Sequence, residues 1–509
     1  MSLYDRRHAR RSLFDTVIFR ALSQAATLAG YVVMVRAMSR EAFGVYNLLY
    51  ALIPVISTVA SLGLEQTLRR YQPEYLRANE HAAAARLVSV VSGARLATTA
   101  AVIGLILLTW DTVAPVFQLG PYRQTFAIFG VVVLLHFQAR VLQLSLASYM
   151  LHRYGTGMLT VLSVVRLIAW SAFALFGELT LQAAILSDIA AYALAYTGLR
   201  AAHARYCRPG LARGFRFAPQ ERRRMLRYAI AYNFNDAGSI MLNVRADNFF
   251  IAALMNPVAV GIYAFYTRLA QMAGNLLPTR MFENVVQPLF FATRREDADR
   301  RLPVYFTALL NTSLLVQVPM LAFTIAYHRE LVEVFFGEKY LEHSAMLPLV
   351  FAFATVNVIA NPITLVAQYA EKPHIILLSK IFAIYNVAAL LLLIPRAGVA
   401  GAAVASGSAA LLKNLFIWWH VRHSARWLNA PAVLSASVLV WGTFIAAGLG
   451  LKAALQAPPL VHLLCGVVLA AAAGLIYLRS AVLSPADRHL FATVLHGREA
   501  RILRWLGVV

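Results

Sequence analysis

Residues 43–46 of this 509-residue chain read FGVY and residues 260–263 read VGIY, so two similar stretches lie 217 positions apart. Two further pairs keep nearly the same spacing: LASYM at 146–150 with VAQYA at 366–370, and QAAILSDIAA at 182–191 with GAAVASGSAA at 401–410. Three matches in one order and at a nearly constant offset indicate a duplicated unit. The chain is therefore predicted to contain two similar halves.

The composition predicts an integral membrane protein. Hydrophobic residues make up 60% of the chain and the mean hydropathy is +0.64, well above the apolar share of a soluble domain. Stretches long enough to cross about 30 Å of hydrocarbon occur at residues 13–38, 44–64, 87–110, 124–150, 157–177, 179–199, 226–254, 258–291, 303–327, 345–369, 374–394, 398–421, 431–453 and 460–479. Each is predicted to be a helix, because an open sheet would leave backbone polar groups unpaired in lipid.

Membrane topology explains the positive charge of the chain. The formal net charge is +23, and the basic residues concentrate in alternate loops, including 6–11, 69–77, 205–224, 294–301 and 422–426. The positive-inside rule places such loops in the cytoplasm, and both termini then lie there as well. No nucleic-acid partner is expected, because the chain contains no basic and aromatic soluble module.

The repeat and the number of spans predict how the chain is divided. Six spans per repeat is an even number, so both copies enter the membrane from the same side, related by an axis along the membrane normal. The predicted parts are an N-terminal six-helix bundle at 1–200, a basic cytoplasmic linker at 201–224, a C-terminal six-helix bundle at 225–421, two additional transmembrane helices at 422–480, and a basic amphipathic cytoplasmic tail at 481–509. The predicted fold class is an all-α integral membrane protein of about 14 transmembrane helices, with two parallel six-helix repeats plus two C-terminal helices.

Polar side chains recur at helical spacing inside several spans. In the first span Arg20, Gln24 and Tyr31 share one narrow face, and in the fourth span Arg140 and Gln143 do so. Further candidates are Arg166 in the fifth span, Asn233, Asp236, Asn243 and Asp247 in the seventh, Arg268, Gln271 and Asn275 in the eighth, Asn357 and Asn361 in the tenth, and Lys380 in the eleventh. Such groups inside a membrane normally face a partner or a wet cavity. We therefore expect one water-filled cavity between the two bundles.

Cations outnumber anions on these faces. The predicted deep charges are Arg20, Arg140, Arg166, Arg268 and Lys380 against Asp236 and Asp247, with Asp188 as a further candidate anion. An anionic substrate fits this excess, in particular a phosphate or pyrophosphate held by arginine. The amides and Tyr31 are predicted to bind sugar hydroxyls. Asp236 and Asp247 are the candidates for coupling transport to an ion.

The stretch at 36–75, RAMSREAFGVYNLLYALIPVISTVASLGLEQTLRRYQPEY, resembles the polysaccharide-export flippases, the Wzx-type branch of the multidrug/oligosaccharidyl-lipid/polysaccharide (MOP) transporter superfamily. Residues 43–46 and 63–66 (GLEQ) are the most specific part of the match, and the topology extends it over the chain. The lipid II branch shares this plan, but its pattern of clustered first-helix arginines is not visible in the sequence.

The resemblance implies a flippase that moves undecaprenyl-pyrophosphate-linked oligosaccharide from the inner to the outer leaflet of the bacterial inner membrane. It implies alternating access, for exopolysaccharide, capsule or O-antigen synthesis. It also implies a cationic lumen, a lateral groove for the lipid tail near the last two spans, and contact with membrane lipids. The implied partners are a polysaccharide polymerase and a chain-length regulator, with H⁺ or Na⁺ as the coupling ion.

Other functions compete with this interpretation. A MATE-like ion-coupled drug exporter would share the fold, but its cavity is expected to be acidic or aromatic. A membrane glycosyltransferase or polymer ligase needs a sizeable outer domain, and the longest predicted outer segment, 328–343, is short. A lipid scramblase or a structural membrane partner is a further alternative. Cys207 and Cys465 are expected to be free thiols without metal-ligand spacing. The prediction is a transporter with no cofactor and no enzymatic activity.

Overall fold

The computed structural model describes residues 6–207, 209–212, 214–240, 244–275 and 298–480. Within these ranges the chain is helical and contains no β-strand, which confirms the predicted all-α class. It packs into two compact units, Met1–Gly261 and Ile262–Val509. The predicted tail at 481–509 lies outside the described residues, and the predicted domain boundaries remain predictions.

The first unit contains the helices α1 (Arg6–Ala37), α2 (Arg40–Ser61), α3 (Leu64–Arg77), α4 (His81–Leu108), α5 (Trp110–Val113), α6 (Arg123–Ser148), α7 (His152–Phe176), α8 (Leu181–Tyr206), α9 (Pro219–Ile240) and α10 (Val244–Leu254), and the start of α11 (Pro257–Gly274). Its principal helix pairs are α1 with α7, α6 with α8, and α7 with α8. α9 packs against α2 and α3, and α10 against α2.

A tight turn between α2 and α3 sets the direction of α3. Leu62 has a φ of 46° and Gly63 a φ of 71°, both in the left-handed region that glycine adopts most easily. Gly63 also faces the backbone of α9, where a Cβ would lie 1.9 Å from the Ala229 carbonyl oxygen. Glycine at position 63 is therefore required both by the turn and by the close approach of α9. The turn places Glu65 in the first turn of α3.

The repeated motif marks a second close approach. A Cβ on Gly44 would lie 1.8 Å from the Pro257 carbonyl oxygen, and a Cβ on Gly261 would lie 2.7 Å from the Arg40 carbonyl oxygen. Gly44 and Gly261 occupy equivalent positions in FGVY and VGIY. The two copies of the motif thus contact each other where α2 crosses the start of α11.

A neutral buried network fastens α3 to α6 and α8. Gln72 donates to the Ser145 hydroxyl at 2.8 Å, and His203 Nε2 lies 3.1 Å from the same hydroxyl. Burial, with a smaller effect of Arg200, lowers the pKa of His203 to about 4. Burial also raises the pKa of the Cys207 thiol to about 12. Both side chains are consequently uncharged at neutral pH, which suits a buried position.

The second unit contains the rest of α11 and the helices α12 (Ala298–Phe336), α13 (Met346–Val356), α14 (Ala360–Tyr369), α15 (Pro373–Leu378), α16 (Phe382–Val421), α17 (Ala430–Ala454) and α18 (Pro459–Arg479). The last two pack on α12 and on each other. Lys452 on α17 forms an ion pair with Glu330 on α12 at 2.6 Å. Tyr327 of α12 contributes to their shared apolar core with Trp441 and Tyr477.

α16 is a helical hairpin rather than one straight helix. Gly398 has a φ of 57° and breaks the helical backbone. A Cβ on Gly401 would lie 2.2 Å from the Leu393 carbonyl oxygen, although eight residues of straight helix rise about 12 Å. The hydroxyls of Tyr385 and Ser408 also lie 3.1 Å apart across the break. The two predicted spans at 374–394 and 398–421 are therefore antiparallel neighbours.

Among the described residues, 9 helices are long and apolar enough to cross a membrane, with the hairpin counted as one. α1, α8, α9 with α10, and the described part of the span at 258–291 coincide with further predicted spans. Each of the 14 predicted spans thus overlaps a helix in the part of the chain that the structure describes.

Gly44→Ala is expected to lower the melting temperature of the purified protein. The added Cβ meets backbone, which cannot move aside as a flexible side chain would, and overpacking of this kind costs about 1–3 kcal/mol. Gly104→Ala is the matched control, because a Cβ there meets nothing within 4 Å. Thermal unfolding in detergent measures both variants. A Gly44→Ala protein as stable as the control would contradict the close crossing of α2 and α11.

Candidate functional site

The first unit contains a partly open cavity of about 390 Å³ among α2, α3, α6, α7 and α8. Its polar lining is Ser57, Glu65, His136, Arg140, Gln143 and Tyr192, and its apolar lining is Phe137, Ala139, Met158, Leu159, Leu162 and Ala195. Arg140 and Gln143 are predicted site residues that the structure brings together here. They share the cavity because residues three apart lie on one side of a helix. The mixed lining suits a ligand that is partly charged and partly apolar.

Two arginines of different exposure share the carboxylate of Glu65. Arg95 Nη2 lies 3.5 Å from Glu65 Oε1, and Arg140 Nε lies 3.8 Å from Glu65 Oε2. The Arg95 side chain is fully buried and donates to the Ser57 carbonyl oxygen at 3.1 Å and the Ser57 hydroxyl at 2.9 Å. The Arg140 side chain is 44% exposed. The guanidinium of Arg95 is thus bound by neighbouring protein groups, whereas most of the five N–H donors of Arg140 are available to a ligand.

His136 and Tyr192 form the aromatic part of the polar lining. His136 Nδ1 and the Tyr192 hydroxyl lie 3.1 Å apart, and the two rings meet edge to face at 5.5 Å. The guanidinium of Arg166 lies 5.0 Å from the Tyr192 ring centroid, which is within cation–π range. Tyr192 therefore connects the cavity with a second group of charged residues.

This second group is a buried ion pair between Arg166 and Asp188. Arg166 Nε lies 2.6 Å from Asp188 Oδ1, as an ion pair outside hydrogen-bond alignment. Asp188 Oδ2 accepts hydrogen bonds from Tyr46 at 2.8 Å and from Tyr50 at 2.5 Å, and Arg166 also donates to the Tyr50 hydroxyl. Asp188 is fully buried and Arg166 is 17% exposed. In this arrangement the charge of Arg166 is compensated within the unit.

The other predicted residues of the first unit are not among those that line the cavity. Tyr31 is buried and its ring meets Phe43 edge to face at 5.9 Å, while Gln24 is exposed. Asp247 on α10 is fully buried, and Asn233 on α9 has a buried Oδ1 that accepts no hydrogen bond from the described residues. The predicted residues whose side chains lie outside the described part of the chain are Arg20, Asp236 and Asn243.

The second unit carries the predicted residues of the later spans. Asn414 on α16 donates to Asn357 Oδ1 at 2.7 Å, which ties Asn357 to a neighbouring helix. The half-buried residues are Arg268, Gln271, Asn361 and Lys380, and Asn275 just after α11 is exposed. The shared cavity between two bundles that the sequence suggests stays a prediction.

Sequence reasoning missed Glu65 and Arg95 as members of the site. Glu65 belongs to the GLEQ segment at 63–66, where a glycine turn precedes an acidic residue at a helix start. Arg95 is a single charge in the apolar stretch at 87–110, and a lone intramembrane charge requires a partner. Each signal indicates a charged residue that needs a partner of opposite charge, but neither identifies that partner.

Comparisons with known proteins agree with this architecture. A family model described as "Polysaccharide biosynthesis protein" matches residues 33–345. The lipid II flippase MurJ, in an inward closed conformation, is similar in structure with a TM-score of 0.68 at 10% identity, over 94% of this chain and 99% of that chain. An inward-facing multidrug resistance MATE family transporter of the MOP superfamily gives a TM-score of 0.65 at 11% identity, over 81% of this chain and 98% of that chain. No curated protein matches the sequence. At such identities the likeness shows the fold, and it confirms the predicted class with about 14 transmembrane helices.

Arg166→Leu is expected to destabilise the protein by about 3–5 kcal/mol, because it leaves the fully buried Asp188 without its cation. The double variant Arg166→Leu/Asp188→Leu is expected to recover part of this loss, since no charge then remains unpaired. Thermal unfolding of the two single variants and the double variant measures the coupling between the residues.

The matched control is the ion pair between Arg123 and Asp111, which spans 3.6 Å with side chains 55% and 83% exposed. Arg123→Leu is expected to change stability by less than about 1 kcal/mol, because water screens an exposed pair. Equal losses for Arg166→Leu and Arg123→Leu would show that the Arg166 pair is not buried as described.

Proposed function

Because this chain belongs to the polysaccharide biosynthesis protein family, we propose that it is a flippase for undecaprenyl-pyrophosphate-linked oligosaccharide. It carries this lipid from the inner to the outer leaflet of the bacterial inner membrane by alternating access, with both termini in the cytoplasm. The product serves exopolysaccharide, capsule or O-antigen synthesis. The observation that carries the proposal is Arg140, which lines the cavity and lies 3.8 Å from its partner Glu65. A guanidinium in this state suits a phosphate or pyrophosphate group.

The fold supports the proposal at a coarser level. A lipid II flippase has this fold, and so does a multidrug transporter, so the fold alone does not select the substrate. The substrate class rests instead on the family and on the positive charge of the cavity. Around Glu65, two arginines face one carboxylate, which leaves an excess positive charge for an anionic ligand.

The energetics of the headgroup explain why such a protein is needed. Moving hydroxyl groups from water into hydrocarbon costs a few kcal/mol for each unpaired group. A barrier of about 25 kcal/mol corresponds to roughly one spontaneous event in days. A polar cavity lowers this barrier, because its side chains replace the lost hydration while the lipid tail stays in the bilayer.

An ion gradient can supply the direction of transport. The membrane potential provides about 2.3 kcal/mol per charge per 100 mV, so one or two H⁺ or Na⁺ ions suffice to bias flipping outward. We propose Asp236 and Asp247 as the coupling residues, and Asp247 is fully buried on α10. A polysaccharide polymerase and a chain-length regulator would act on the lipid after its release.

A MATE-like drug exporter is the second candidate, because a multidrug resistance transporter of the MOP superfamily has the same fold. The charge of the cavity argues against it. An organic cation would be repelled by Arg140, whose positive charge is only partly compensated by Glu65 at 3.8 Å.

Reconstitution tests the proposal directly. Proteoliposomes that contain a fluorescent lipid-linked oligosaccharide are treated from outside with a glycosidase that cannot cross the bilayer. The protein is expected to expose the inner-leaflet pool to cleavage within minutes, while protein-free vesicles keep it protected. Equal rates with and without protein would rule out flipping, and loss of a dye cation from the vesicles instead would favour the drug exporter.

Arg140→Ala is expected to slow flipping by about 10- to 100-fold, since a hydrogen bond to a charged group contributes about 1.5–3 kcal/mol. Arg268→Ala is expected to change the rate in the same direction. Arg140→Lys keeps the charge but loses the planar fork, so an intermediate rate is expected. Exposed Arg123→Ala is the control for the loss of one arginine. Wild-type rates for both Arg140→Ala and Arg268→Ala, with normal membrane insertion, would remove the anion-binding role.

A further inference from the structure

α3 has two faces of opposite character. Leu68, Tyr71 and Tyr75 are buried in the first unit, whereas Arg69 and Arg77 are exposed on the opposite face. The exposed face borders an open pocket of about 710 Å³, whose lining is Arg69, Arg70, Pro73, Glu74, Arg77 and Ala78. Three of these six residues are arginines, so the pocket, termed here the α3 pocket, is strongly basic.

Only part of the positive charge in the α3 pocket is compensated. Glu74 accepts from Arg70 at 3.0 Å and from Arg224 at 3.2 Å, so its carboxylate is already shared by two guanidinium groups. Arg224 is also held over the Tyr71 ring at 5.1 Å. Neither Arg69 nor Arg77 forms an ion pair with any residue that the structure describes. These two side chains remain available to an external anion.

The α3 pocket and the cavity of the candidate site lie along the same helix. Glu65, Arg69, Pro73 and Arg77 follow one another at steps of four residues, which places them along one side of α3. Glu65 lines the cavity, and Arg69 lies about 6 Å further along the helix axis. Arg69 is also close enough to Arg140 for the two charges to repel each other. α3 therefore contributes Glu65 to the cavity and, one turn further on, Arg69 to the basic pocket.

We propose that the α3 pocket is a binding site for the phosphate- or pyrophosphate-bearing headgroup of a membrane lipid, which docks there before it reaches Arg140. The identity of that lipid rests on the proposed function, but headgroup binding does not depend on transport. The positive-inside rule accounts for arginines at this end of the unit. It does not account for two arginines that form no ion pair with a described residue and that follow Glu65 at steps of four residues along α3.

The spacing of the arginines suits such a ligand. Arg69 and Arg77 are separated by about 12 Å along the axis, and both side chains are long enough to converge on one group between them. A guanidinium can bind two phosphate oxygens at once. From Arg69, a shift of about one helical turn brings the headgroup to the level of Glu65 and Arg140. On this proposal the headgroup passes from Arg69 to Arg140, two arginines close enough to interact electrostatically.

The test compares binding by the full-length protein with binding by Arg69→Gln/Arg77→Gln. The probes are undecaprenyl pyrophosphate, phosphatidylglycerol and inorganic pyrophosphate, each titrated onto detergent-solubilised protein by thermophoresis. The double variant is expected to weaken the binding of undecaprenyl pyrophosphate about tenfold, which corresponds to about 1.4 kcal/mol. The difference is expected to shrink at high salt, because these charges are exposed. Arg153→Gln/Arg200→Gln removes two exposed arginines elsewhere and is expected to bind as wild type.

Each outcome decides the proposal. A loss with undecaprenyl pyrophosphate alone supports a site for the transported lipid, and a loss with both lipids supports a general phospholipid headgroup site. A loss with inorganic pyrophosphate only, or equal losses in the control variant, overturns it. Protein that binds through the α3 pocket but does not flip lipid would remove the proposed function and keep the site. Normal flipping with unchanged binding in Arg69→Gln/Arg77→Gln would remove the site and keep the function.

Discussion

A charged side chain in hydrocarbon must find a partner, and the first unit meets this requirement in two different ways. Arg166 and Asp188 form a closed pair at 2.6 Å, completed by the hydroxyls of Tyr46 and Tyr50. Around Glu65 the arrangement is looser, because two arginines share one carboxylate at 3.5 and 3.8 Å. The closed pair holds α7 against α8, while the looser group leaves a guanidinium exposed to a cavity. Arg166 is held in place by a short ion pair, whereas Arg140 shares its carboxylate with Arg95 at a longer distance and stays accessible.

Close approaches of backbone position these charges. Gly63 allows the left-handed turn before α3 and the contact with Ala229, and this turn fixes where Glu65 enters the cavity. Gly44 and Gly261 allow α2 to cross α11 at backbone distance. The segments 43–46 and 63–66, which carry the family resemblance most specifically, thus contain two of the glycines that these contacts require, Gly44 and Gly63. The glycines in these segments allow the helices to pack closely, and this packing positions Glu65 in the cavity.

Hydropathy and helical spacing predicted much of the architecture, since both depend on local sequence. The separate spans at 374–394 and 398–421 were predicted correctly, and the break at Gly398 is the physical reason. The shared face of Arg140 and Gln143 was also predictable, because residues three positions apart lie on the same side of a helix. The hydrogen bond from Arg166 to the Tyr50 hydroxyl was not, because Tyr50 lies 116 residues away in the chain. Pairings between distant helices leave no periodic signal in a single sequence.

On the proposed function, the arrangement around Glu65 would allow an arginine to bind an anionic substrate without leaving Glu65 unpaired. If an anionic headgroup takes Arg140, Glu65 still has Arg95 at 3.5 Å, so no buried carboxylate is left without a cation. If the headgroup took Arg166 instead, Asp188 would keep two tyrosine hydroxyls but lose its cation, at a cost of about 3–5 kcal/mol. Binding at Arg140 is an exchange of partners, whereas binding at Arg166 would break a buried pair. Among the predicted cations of the first unit whose side chains are described, Arg140 is accordingly the one that best suits the proposed binding of an anionic headgroup.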